Sequence, residues 1–304
     1  LSIIVNVNEF DFLYRFRRFY SRILVEENQL AYLTPSNRTD NNLFKVVHSG
    51  NVTINRNDFV CAYTRGVIFL VIYRESELPI TTFATDLGKF VFTSNAFSGK
   101  KPKKMEVNTN ETGILALNAD KIQELRYENN SILYCNIIDR GFVNLKVSFS
   151  NSENIISFID NYFSFNSLIA GNNLQTNFLN IQLNLESLQK VDRFRVISQI
   201  DFFGNFFISN TIDGTALLTG SLMAVTPSLV QITAPDYHLL VKDLRFLNSQ
   251  FNTYGYLFTA IAANIVIENS LVLMCTFQQI DQMISSDNPI VGAQGIFFFS
   301  SPTI

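Results

Sequence analysis

The residue types that most often carry out chemistry are scarce in this chain. Histidine occurs twice, at His48 and His238, and neither has a metal-like partner at the usual short spacings. His238 has only Asp236 near it. The three cysteines, Cys61, Cys135 and Cys275, are far apart and lack the paired spacing of a zinc or redox site. They read as reduced thiols of a cytosolic setting or as small buried apolar residues. Gly-x-Ser-x-Gly, Gly-x-Gly-x-x-Gly and the P-loop are all absent. Asp11, Asp201, Asp213 and Glu268 are isolated acids in apolar surroundings, which suits strand ends and turns. A glycosidase pair is still open, because such carboxylates meet in space rather than in sequence. The expectation is a non-enzymatic protein with no catalytic residue, no bound metal and no organic cofactor. Only a carboxylate cage for Ca²⁺ escapes that argument.

Two basic features stand out. Lys100, Lys101, Lys103 and Lys104 flank Pro102 and could meet phosphates or an acidic partner. No aromatic is interleaved among them, so an exposed, lysine-fringed loop is the simpler account. Arg15, Arg17, Arg18 and Arg22 differ, because Tyr14, Phe16, Phe19 and Tyr20 lie among them. Such a segment could be a solvated edge strand, an arm docked on a neighbouring subunit, or a stacking platform for single-stranded nucleic acid. The aromatics are too apolar to be left in water, so the arginines are expected to serve subunit contacts. The chain has 23 basic and 26 acidic residues, a net charge of −3, which argues against a nucleic-acid-binding domain.

The elements that must position these residues are read from composition and periodicity. Of 304 residues, 47% are hydrophobic and only 16% charged, where about 25% is usual. Phenylalanine occurs 29 times, tryptophan never, and asparagine is strongly over-represented. Either the core is large or part of the surface is buried against partners. Val67–Tyr73 is too short for a helical membrane span, and polar residues interrupt Thr215–Ala234 and Gly255–Cys275. No membrane span is expected, and Leu1–Asn8 does not read as a secretory signal. The Asn-x-Ser/Thr sites at Asn37, Asn51, Asn110 and Asn129 are no more than this asparagine content produces by chance.

Short apolar runs broken every ten or so residues predict a mainly β protein built from antiparallel strands. Ser152–Phe163 alone has clear helical spacing, with Asn151 or Ser152 able to cap it. Asn118–Glu128 and His238–Leu247 fit helix or strand. Asp213-Gly214 is a hairpin signal. No repeat is evident, which disfavours solenoids and propellers. The expected fold is an antiparallel β-sandwich, a single jelly roll over 1–77 and 188–304, with an inserted second lobe at 78–187.

An Asn-, Ile- and Phe-rich, tryptophan-free and weakly charged β chain of this length resembles a viral capsid subunit. More specifically it is similar to the penton (vertex) proteins of virophages. That resemblance implies a jelly-roll structural protein of the virion, assembled in the host cytoplasm. It further implies a homopentamer at the fivefold vertex that contacts the major capsid protein. Two other readings stand beside it. One is a receptor- or glycan-binding β-sandwich domain, whose exposed loops should concentrate aromatic and amide residues, although the absence of tryptophan weighs against it. The other is a carbohydrate-active enzyme, which needs two acids facing one cleft.

Overall fold

The computed structural model describes residues 2–5, 14–17, 22–31, 42, 44–48, 50–60, 67–73, 88–99, 113–138, 141–149, 154–169, 177–185, 198–213, 227–252, 255–277 and 294–300. Strand dominates the described residues, as a mainly β reading requires. Its arrangement is another matter.

The chain winds in successive coils. β1 (Ser2–Val5) precedes β2 (Tyr14–Arg17), β3 (Arg22–Glu26) and β4 (Gln29–Ala31). Two further coils are β5 (Phe44–His48), β6 (Asn51–Asn55) and β7 (Asp58–Val60), then β8 (Val67–Tyr73), β9 (Gly88–Thr93) and β10 (Ala96–Ser98). A fourth side appears with β11 (Gly113–Glu128), β12 (Ser131–Leu133) and β13 (Asn136–Ile138). It continues through β14 (Val143–Phe149), β15 (Ile155–Ile159), β16 (Tyr162–Ser164) and β17 (Ser167–Ile169). The next coil is β18 (Leu179–Leu185), β19 (Gln199–Phe203), β20 (Phe206–Ile208) and β21 (Thr211–Asp213). Then come β22 (Ser228–Lys242), β23 (Arg245–Leu247) and β24 (Gln250–Asn252). β25 (Gly255–Glu268), β26 (Leu271–Leu273), β27 (Thr276–Phe277) and β28 (Gln294–Ser300) follow.

Equivalent strands of successive coils pair side by side, and every described pairing is parallel. Face A is β2-β5-β8-β11-β14-β18-β22-β25-β28, and face B is β1-β3-β6-β9-β11-β15-β19-β22-β25. Face C is β4-β7-β10-β12-β16-β20-β23-β26, and face D is β13-β17-β21-β24-β27. The long strands β11, β22 and β25 run through both A and B. Through β11 and β22 the ring β11-β14-β18-β22-β19-β15 closes as six parallel strands. The architecture is a parallel β-solenoid.

This overturns the antiparallel jelly roll. A sandwich reverses its chain at hairpins; here each corner only bends it, so the partner strand arrives one coil later and runs parallel. The chain is a solenoid although its sequence shows no regular repeat, and the reason is visible in the corners. Successive corner asparagines lie 29, 38, 35, 31 and 44 residues apart, because inserts of different length separate the strands. The helix expected at Ser152–Phe163 is, over its described part, β15, a corner at Asp160-Asn161 and the start of β16. Ile155, Ile156, Phe158 and Ile159 suit either element locally, and pairing of β15 with β11 and β19 decides for strand. The two ambiguous segments lie on β11 and on β22–β23. Asp213 ends β21 in parallel register, and Gly214 lies outside the described residues. Strands β9 to β18, within the expected lobe, pair with strands before and after it.

The corner between faces B and C has one recurring construction. A residue with φ near +55° is followed by a buried asparagine: Glu27-Asn28, Arg56-Asn57, Ser94-Asn95, Asn129-Asn130, Asp160-Asn161 and Gly204-Asn205. Each asparagine side chain donates to the Oδ1 of the asparagine one coil on, at 2.8–3.1 Å from Asn28 through Asn161. The backbone N–H groups of Asn28, Asn57, Asn95, Asn130 and Asn161 donate to the same oxygens. From Asn57 onward the amide also reaches the carbonyls of Val25, Ile54, Phe92, Tyr127 and Phe158 on the coil before. Corner groups that no strand partner can reach are thereby satisfied. A second, shorter ladder joins Asn166 and Asn210 at the corner between faces C and D, with Cys135 at its start. Gly204 is the one glycine at the bend, and a Cβ there would meet Asp160 Oδ1 at 2.1 Å.

Inward residues of all four faces form one core. Parallel register stacks like on like, which is where many of the phenylalanines go. Phe92, Tyr127, Phe158 and Phe202 follow one another up face B, with Phe92 and Tyr127 stacked at 5.3 Å. On face C, Phe163 and Phe207 stack at 4.7 Å, and Phe207 meets Phe246 at 5.2 Å. Asn130 sits mid-ladder, so Asn130→Ala takes the acceptor from the buried Asn95 N–H and side-chain amide and removes a donor from the Phe92 carbonyl. Its expected cost is about 2–5 kcal/mol in chemical denaturation, against roughly 1–3 kcal/mol for one orphaned group.

Candidate functional site

Among the described residues, the densest grouping of ionisable side chains lies on the outer side of face B. Glu124, Arg126 and Glu128 alternate along β11, with Lys89 on β9 and Ser157 on β15 in neighbouring coils. Lys89 Nζ is 3.0 Å from Glu124 Oε2, and Arg126 Nε donates to Glu124 Oε1 at 2.5 Å. Arg126 Nη1 lies 3.9 Å from Glu128 Oε1, which also accepts from the Ser157 hydroxyl. Asp201 on β19 is in register with Ser157 and accepts from Gln199 Nε2 at 2.6 Å. Toward the N-terminal coils, Arg56 pairs with Glu26 at 2.7 Å and Glu27 at 2.6 Å.

Two carboxyls close to one face invite an acid–base reading, and electrostatics argues against it here. Burial of Glu124, whose residue is only 7% exposed, pushes its carboxyl up. Hydrogen bonds from Lys89 and Arg126 and their charges outweigh that and hold it below the ordinary carboxylate value. A general acid at neutral pH needs the opposite shift. The group reads as a staple joining three coils. Buried tyrosines are raised instead: Tyr127 by burial, Tyr237 by burial and the charge of Asp236.

Of the described residues singled out in the sequence, Asp201 alone lies in this grouping. Arg15 and Arg17 lie on β2 and Arg22 opens β3, whereas Arg18 falls outside the described residues. Lys100, Lys101, Lys103 and Lys104 also lie outside them, as do Asp11 and Cys61. Glu268 ends β25, 3.0 Å from Lys242. His48 ends β5, and His238 lies on β22 with a buried Nδ1 that has no hydrogen-bond partner. Cys135 and Cys275 are half-buried at the second corner, each after a residue of positive φ, where the ladder has asparagine. Burial raises the Cys275 thiol. Among the described residues no group of three or more His, Cys, Asp or Glu could hold a metal ion. No described helix is long and apolar enough to cross a membrane. Sequence reasoning missed Glu124, Arg126 and Glu128, although their alternation is a strand signal in a segment that fits helix or strand.

Glu124 has its carboxyl lowered on folding, so its contribution is present above the unfolded value of about 4.3 and fades as pH falls through the folded one. Glu124→Gln is expected to cost about 1–3 kcal/mol at neutral pH. The gap in melting temperature between variant and wild type should close on acidification. A gap independent of pH would mean that the ion pairs contribute nothing.

In comparison with known proteins, no family model, no curated sequence and no solved structure matches this chain.

Proposed function

We propose that the chain is a structural, non-catalytic subunit that works by packing its solenoid against a second copy of itself through face C. The observation that carries this is the outer side of that face. In parallel register Leu133, Ser164, Ile208, Leu247 and Leu273 form one column, and Ser131, Tyr162, Phe206, Arg245 and Leu271 the next. Leu273 is 49% exposed and Met274, at the adjoining corner, 72%. Tyr134 and Phe165 stack at 5.1 Å along the same margin, with Phe165 half exposed. Arg245 covers the Phe206 ring at 5.2 Å, so even the one cation there lies flat on an aromatic.

A monomer in water rarely keeps so continuous an apolar strip. Face B shows what a solvated side of this solenoid looks like, with ion pairs on every described coil from Glu26 to Glu128. One apolar residue per coil makes a strip that meets itself when two copies run antiparallel about a twofold axis. The class of role is the one that the capsid resemblance implies, a subunit defined by its neighbours. The fivefold jelly roll is not part of the proposal.

The test is native mass spectrometry and light scattering at micromolar concentration. Wild type should associate, and Leu273→Lys, an outward position that leaves the core intact, should return it to the monomer with unchanged circular dichroism. A monomeric wild type would overturn the reading. The measured mass also reports directly on the expected homopentamer.

A further inference from the structure

Face A carries amides that packing through face C does not use. Register places Asn144, Asn180, Gln231, Thr259 and Phe298 in one outer column, on β14, β18, β22, β25 and β28. Beside it run Asn118, Lys146, Gln182 and Thr233. Alternation fixes the side: Val143, Leu145, Leu179, Ile181, Val230 and Ile232, the residues between, are buried in the core.

These groups are already partly organised. Asn180 Nδ2 donates to Asn144 Oδ1 at 3.1 Å, and the Asn177 amide donates to Gln231 Oε1. Asn177 Oδ1 accepts from the Ser228 N–H at 2.7 Å, and the Ser228 and Thr259 hydroxyls lie 2.9 Å apart. One acceptor is left over. Asn180 is only 2% exposed, yet its Oδ1 has no hydrogen-bond partner. A carbonyl that has lost its water without gaining a donor is costly, and Asn180 therefore acts by orienting the partly exposed amides and hydroxyl beside it, Asn144, Gln231 and Thr259.

We propose that this face binds a neutral, polyhydroxylated chain, a glycan, laid along the solenoid axis. A side-chain amide offers a donor and an acceptor side by side, which suits two neighbouring hydroxyls of one sugar ring. Coils repeat at about 4.8 Å, close to the length of one pyranose unit in an extended chain, so each coil can serve one sugar. From β11 to β28 Lys146 is the single charge in the two columns, with Lys45 following only on β5, so these coils offer little electrostatic basis for a polyphosphate or a nucleic acid. The column ends at Phe298, 43% exposed and 5.4 Å from the Tyr256 ring, an aromatic surface for the C–H face of a sugar.

The probes are linear neutral hexasaccharides (cello-, manno-, xylo- and chitohexaose), with heparin as the anionic control, read by titration calorimetry on the full chain. At least one neutral hexasaccharide should bind. Asn180→Leu, which keeps the volume and removes the amide, should weaken it tenfold or more. Should that variant fold poorly, Asn118→Ala, at an exposed position, is expected to weaken binding about threefold with an unchanged melting temperature. Leu273→Lys, on face C, should bind as wild type does, which separates this site from the assembly surface. No binding by any neutral hexasaccharide at millimolar concentration overturns the proposal. So does binding that neither amide variant weakens, or salt-sensitive binding of heparin alone.

Discussion

Six buried asparagines, one per coil from Asn28 to Asn205, make the bends of this molecule possible. A strand that turns a corner without reversing leaves backbone donors and acceptors inside the protein with no ladder to join. Hydrogen-bonding them to a side-chain amide removes a desolvation cost that would recur on every coil. The asparagine carboxamide has two donors and an acceptor at the right reach, and its neighbour supplies a left-handed backbone conformation. The ladder is also cooperative in its geometry, because each amide is oriented by the coils on both sides. Where Leu244 replaces asparagine, the backbone alone keeps the bend, through Asp243 N–H to the Glu268 carbonyl at 3.1 Å and Leu271 N–H to the Leu244 carbonyl at 2.8 Å.

Parallel, in-register stacking then governs everything outside the corners. Each inward position meets the same position of the next coil, so an apolar residue becomes a column and an aromatic one becomes a stack. Outward positions obey the same geometry. Ion pairs on face B, amides on face A and apolar side chains on face C become strips running along the axis. A composition bias that would be scattered over a globule is concentrated here into surfaces of single chemistry.

A solenoid of this kind is held by each coil's contact with its neighbours. On each face the last described strand has a partner on one side only. Ile265, Ile267, Val272, Phe277 and Phe297 accordingly remain partly exposed although they occupy inward positions, while their counterparts Leu239, Val241, Phe246, Phe251 and Phe258 are fully covered. The core itself reaches this end of the described structure.

By itself the sequence determined the mainly β class, the want of metal-ligand spacing among its histidines and cysteines, and a surface too poor in charge to be ordinary. Each of these depends on composition or on period-two alternation, which are local properties. The tertiary structure decided the direction of pairing, since a run such as Val67–Tyr73 reads the same in a parallel or an antiparallel sheet. It also decided against helix for Ser152–Phe163, where contacts with β11 and β19 outweigh an ambiguous spacing. The repeat was written in the chain as a polar or small residue followed by asparagine, from Glu27-Asn28 to Gly204-Asn205, but inserts of unequal length broke its period. Glu124 and Lys89, and likewise Asn144 and Asn180, are 35 and 36 residues apart, and only the stacking of coils makes them neighbours. Surfaces assembled one residue per coil have no signature in any single segment, because the register that assembles them is a property of the fold.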